Sequence, residues 1–79
     1  MKVKPGQYWE SDKNLIRIDR ASDMDFSYSV IEGFQQNMHI YWYTDDPFSC
    51  LREQDYKYRC SHTKYLKASK TSLWKVLNE

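Results

Sequence analysis

The side chains best equipped for chemistry in this sequence are Cys50, Cys60 and His62, which fall within thirteen residues, with His39 upstream. Thiolate and imidazole bind zinc, and structural zinc sites take their ligands from close pairs such as Cys-x-x-Cys. Cys60-Ser61-His62 is such a pair, but Cys50 stands ten residues away and His39 has no near partner. The spacing therefore gives no metal site. The same groups supply the parts of a Cys-His nucleophile, yet no glycine-rich elbow accompanies them. Glycine occurs only as Gly6 and Gly33, which leaves no loop to cradle a phosphate. The expectation is a chain with no catalytic residues, no cofactor and no enzyme activity. Both thiols are expected reduced and buried as small apolar groups.

Charge is the next source of chemistry, and it is unevenly spread. Residues 1–56 carry six basic against ten acidic side chains, a net of −4, while residues 57–79 carry six basic against one acidic, a net of +5. The overall +1 conceals a dipolar chain. Lys57, Tyr58, Arg59, Lys64, Lys67 and Lys70 interleave cations with an aromatic ring, a pattern that can follow a phosphate backbone and stack a base. Its ordinary reading is a solvated strand face with surface lysines. The aspartates lie mostly in or beside connections, where they favour turn geometry. Asp12, Asp19, Asp23, Asp25, Asp45 and Asp46 could in addition gather at one end of a barrel and select a basic partner, with Asp45 and Asp46 at the rim of a contact surface.

Those groups must be positioned by a small body. Seventy-nine residues make a single domain, 1–79, with an expected radius of gyration of about 12 Å and little room for a deep pocket. Aromatic residues make up 16% of the chain, so large rings are expected to supply much of a small core. No leading apolar run is present, and the expectation is a cytoplasmic chain with neither signal peptide nor membrane span.

Alternation in the sequence is mostly of period two. Gln7–Glu10 reads as a first strand entered through the Pro5-Gly6 turn. Leu15–Arg20 reads as a second, with Ile16 and Ile18 on one face. Phe26, Tyr28 and Val30 alternate with Ser27, Ser29 and Ile31, a third strand whose solvent face is marked by serines. Gly33 to Asn37 is the next turn. Met38–Thr44 is the most strand-like run, apolar or aromatic on both faces, and reads as a central strand because it lacks the charge that usually protects an edge. Met38, Ile40 and Trp42 are assigned to the core, leaving His39, Tyr41 and Tyr43 to be covered or used for contact. Pro47 to Gln54 starts a short helix after an acidic cap, with Phe48 and Leu51 facing inward. Tyr56, Tyr58 and Cys60 alternate with Lys57 and Arg59 as a further strand with a basic outer face. Between Thr63 and Glu79 two short strands around a polar turn are favoured over a helix.

This is a mainly β chain: a small antiparallel barrel or rolled sheet of five to seven short strands with one helical turn, the alternative being an α+β arrangement with a C-terminal helix on the sheet. The opening Lys4-Pro5-Gly6-Gln7-Tyr8-Trp9, followed by a turn and a second strand, resembles the start of small Src-homology-3-like barrels, including those of bacteriophage accessory proteins. In such a barrel Phe48 to Tyr58 would supply the short helix and last strand. In size and style, a short aromatic-rich single domain without chemistry of its own, the chain is similar to accessory proteins of phages and mobile elements that act by blocking a host factor. With the residues themselves, this likeness favours a non-enzymatic module that binds a protein partner through His39, Tyr41 and Tyr43, with Asp45 and Asp46 at the rim. Nucleic-acid binding by the basic C-terminal third is the alternative, and self-association as a homodimer through Met38–Thr44 is compatible with either. No membrane partner is expected.

Overall fold

A computed structural model describes residues 2–65. The radius of gyration is 12.2 Å, as the chain length implies. Five antiparallel strands, β1 (Tyr8–Glu10), β2 (Asn14–Ala21), β3 (Asp25–Gly33), β4 (His39–Tyr43) and β5 (Lys57–Cys60), form one sheet, with helix α1 (Pro47–Glu53) between β4 and β5. Among the described residues the fold is mainly β, as the alternation requires, with α1 and a helical turn at residues 62–65. The sheet order β4-β3-β2-β1-β5 leaves β4 and β5 at opposite edges, so the sheet is open, not a closed barrel.

The main core lies between one face of the sheet and α1. Trp9, Ile16, Ile18, Phe26, Tyr28 and Val30 point into it from β1, β2 and β3, and Leu51 closes it from the helix. Burying such side chains is worth about 1.5–3 kcal/mol each. Asp46 caps α1 by accepting from the Ser49 amide at 3.1 Å and the Ser49 hydroxyl at 2.7 Å, and Pro47 follows where its missing N–H costs nothing. Phe48 packs against the core beside Leu51, the pair expected from their three-residue spacing.

A smaller cluster of Tyr8, Leu15 and Cys60 occupies the opposite, outer face. Residues 62–65 form a helical turn there, and Tyr65 stacks on Tyr8 with ring centres 4.1 Å apart. The strand expected from Thr63 is thus a helical turn over residues 63–65; the rest of that C-terminal expectation lies outside the described residues.

Four further expectations are corrected. Met38–Thr44 does not supply the central strand: among the described residues β2 is central, and β4 is an edge strand paired only with β3. Its lack of charge marks an unprotected edge. Of the residues assigned to the core from this run, Met38 is 48% and Trp42 39% exposed, because an edge strand has a neighbour on one side only. The period of two in Tyr56, Tyr58 and Cys60 is broken by a bulge, since Tyr8 pairs with Cys60 and the adjacent Trp9 with Tyr58. Arg59 is the extra residue, so Tyr58 stays on the Trp9 side while Cys60 turns to the outer face. Ser29, assigned to the solvent face, is buried beneath the polar side chains described next.

Candidate interaction surface

The outer face of the sheet divides into a covered half and a bare half. Over β1 and β5 it carries the 62–65 turn. Over β2, β3 and β4 it carries polar and aromatic side chains with nothing above them among the described residues. The register sets Arg17 beside Ser29 and Ser29 beside His39, then Arg20 beside Ser27 and Ser27 beside Tyr41. A bulge in β2 between Ile18 and Arg20 adds Asp19 as an extra residue, so Asp19 and Arg20 both reach this face.

Asp19 accepts from the Ser29 hydroxyl and from Arg17 Nε at 3.2 Å. His39 Nδ1 lies 2.9 Å from the Ser29 hydroxyl and 3.6 Å from Asp19 Oδ2. Asp25 gathers a second group. It accepts from the Tyr41 hydroxyl at 2.5 Å, the Ser22 hydroxyl at 2.5 Å and Arg20 Nε at 3.3 Å. The bonds from Ser22 and Tyr41, with Arg20 nearby, hold the Asp25 carboxyl below the usual carboxylate range. The same carboxylate, with Tyr43 alongside, pushes the Tyr41 phenol well above its ordinary value. Tyr43 meets Tyr41 edge to face at 5.2 Å. Even so, Tyr41 is 51% and Tyr43 77% exposed, so Tyr41 is a presented ring whose orientation is fixed from beneath.

His39, Tyr41 and Tyr43 are therefore brought together as the strand alternation requires. Asp45 and Asp46 stand in the connection after β4 and line a groove of about 380 Å³ with Lys2, Asp23 and Phe48. Asp46 is committed to capping α1, and its bonds from Ser49 lower its pKa. The acidic groups that meet the aromatic face are Asp19 and Asp25, with Arg17, Arg20 and Ser29. Asp19 and Asp25 are among the aspartates that the sequence offers for an acidic contact surface, whereas Arg17, Arg20 and Ser29 are missed, and a bulge that brings Asp19 and Arg20 to one face leaves no mark on a period-two pattern. The one available signal was the polar run Arg17–Asp19–Arg20 opposite Ile16 and Ile18.

The basic residues lie at the other edge. Lys57 is exposed, and Tyr58 is 39% exposed with its ring edge-on to Trp9 at 5.8 Å. Arg59 is half-buried and its Nε lies 3.5 Å from Glu10 Oε1. Lys64 is exposed on the 62–65 turn, while Lys67 and Lys70 lie outside the described residues.

The cysteines and histidines are dispersed. Cys60 is buried by Tyr8 and Leu15. Cys50 is half-buried with Gln54 Nε2 at 3.4 Å from its sulfur. Burial raises both thiols, which disfavours the thiolate that a nucleophile needs. The Tyr8 hydroxyl lies 3.1 Å from His62 Nδ1. No group of His, Cys, Asp and Glu that could hold a metal ion occurs among the described residues. No helix among them is long and apolar enough to cross a membrane. Compared with models of known protein families, with curated proteins and with solved structures, the chain matches none.

Proposed function

We propose that this chain is a non-enzymatic interaction module that binds a protein partner through the bare outer half-face at β4, with Tyr41 and Tyr43 as the principal contacts and His39 beside them. One observation carries the reading: two tyrosines are largely exposed at adjacent outer positions, and Tyr41 is tied to the buried Asp25. A ring already held in place loses little conformational entropy on binding, and tyrosine is enriched among residues that dominate interface energy. The charged side chains around the rings are paired with one another, Arg17 with Asp19 and Arg20 with Asp25, which suits a rim that selects orientation more than it adds affinity.

In this reading the partner is a host factor that the chain blocks, the role of the bacteriophage and mobile-element accessory proteins that the chain is similar to in size and style. The nucleic-acid reading has less support, since Arg59 is engaged with Glu10.

The test is affinity capture with the immobilised full chain and a Tyr41→Ser/Tyr43→Ser variant whose circular dichroism matches the parent. A protein retained by the parent and lost by the variant supports the reading. Retention by both, or by neither, contradicts it.

A further inference from the structure

The edge of β4 differs from its face, and the backbone there is the more informative part. Val30 N donates to Met38 O and Thr44 N donates to Met24 O, each at 2.9 Å. Tyr28 is the register partner of Ile40, and Phe26 that of Trp42. Hydrogen-bonded pairs alternate along an antiparallel ladder. Ile40 and Trp42 therefore turn their N–H and C=O toward β3, and His39, Tyr41 and Tyr43 turn theirs outward. No strand among the described residues lies beyond β4 to receive them.

The two edges of the sheet are treated differently. β5 carries Lys57 and Arg59 and a bulge against β1, devices that discourage pairing with another chain. β4 reads His-Ile-Tyr-Trp-Tyr, without Lys, Pro or a bulge against β3. Exposed apolar side chains gather at the same edge: Met38, Tyr41, Trp42 and Tyr43 in and beside β4, with Met24 and Phe34 in the flanking turns.

We infer that β4 pairs antiparallel with β4 of a second copy of this chain, across a twofold axis through Tyr41, joining two sheets into one. This goes beyond the proposed protein contact, because it uses the edge of the strand where that contact uses the face. A second copy fits for reasons of register and charge. With the axis at Tyr41, His39 of each copy lies opposite Tyr43 of the other, so all three outward-facing residues find partners. The residue that meets its own copy on the axis is uncharged. Asp45 comes opposite Asn37, so no like charges face each other at the ends. Ile40 meets Trp42 on the inner side, where Trp42 is short of cover.

The area available sets the strength. At about 150–250 Å² per ring, the exposed parts of Tyr41, Trp42 and Tyr43 come to roughly 300 Å² per copy, below the ~800 Å² per partner of a standard stable interface. The pair is therefore reversible, and its population follows concentration.

The experiment measures the mass of the full chain by sedimentation equilibrium over a hundredfold concentration range, beside Tyr41→Pro and Tyr41→Phe. Proline at position 41 removes an outward N–H and no bond to β3, a place where edge strands accept it; amide spectra of the variant at low concentration establish that the sheet is retained. If Tyr41→Pro loses the sheet, Tyr41→Lys takes its place by setting like charges on the axis. The expected result is a mass that rises from one copy toward two for the parent and for Tyr41→Phe, with at least a tenfold weaker association for the edge-blocked variant. A single-copy mass throughout, growth beyond two copies, or undiminished pairing in the edge-blocked variant overturns the inference. Because Tyr41 belongs to both surfaces, the parent chain separates the two readings: a single-copy mass in a chain that captures a protein partner overturns the pairing alone, and pairing in a chain that captures none overturns the proposed function alone.

Discussion

Asp25 fixes the aromatic face from beneath. It is buried, and its acceptors are shared by Ser22, Tyr41 and Arg20. Because its folded pKa is depressed, this carboxylate stabilises the fold above its unfolded value of about 3.9, and that contribution is lost as pH falls through the lower folded value. Asp25→Asn has no such contribution to lose. Thermal melts at neutral pH and near pH 3 should show the variant less stable at neutrality and the gap between the two proteins narrowing in acid. Tyr41 behaves with the opposite sign. Its raised pKa means that the neutral phenol is favoured by folding below about pH 10, an advantage lost as pH rises through the folded value. Absorbance titration should find one fewer alkali-resistant tyrosine in Asp25→Asn than in the parent, Tyr41 being released toward the ordinary value while Tyr8, Tyr28 and Tyr65, raised by burial, are unchanged. None of this pairing was legible in the sequence, since Asp25 and Tyr41 are sixteen residues apart and aspartate beside a turn has a simpler explanation.

The strands themselves were legible and their order was not. Alternation in Leu15–Arg20 and Phe26–Ile31 marks β2 and β3 because one side of each is buried against α1 and the other is not. Periodicity says nothing about which strand lies beside which, so the apolar run of β4 passed for a central strand. Bulges were invisible for a related reason: each shifts one residue between faces, as at Asp19 and Arg59, without changing residue type. The C-terminal run Thr63–Tyr65 reads poorly as a strand because Tyr65 serves to cover Tyr8. At the turn joining β3 to β4, Gly33 has φ of 128°, and an added Cβ would lie 2.1 Å from Lys13 O and 2.4 Å from Asn14 Oδ1. Neither neighbour can yield easily, since Asn14 is buried and bonded to Tyr56 and Gln35. Gly33→Ala should therefore cost more than about 1 kcal/mol, read as a lower midpoint in urea with an unchanged slope.

At the scale of the whole molecule, an open sheet with one guarded and one unguarded edge is the feature from which the functional reading follows. Its main core and α1 secure one face, the 62–65 turn covers part of the other, and among the described residues β4 is left with both an aromatic face and an unpaired backbone edge. That account is tested most directly by amide hydrogen exchange in the dilute full chain, read residue by residue along β4. Ile40 and Trp42, bonded to β3, should be protected, while His39, Tyr41 and Tyr43 should exchange at rates near those of an open strand. Equal protection of all five amides in dilute solution would mean that the edge is already occupied within the chain, and would contradict β4 as the open contact strand.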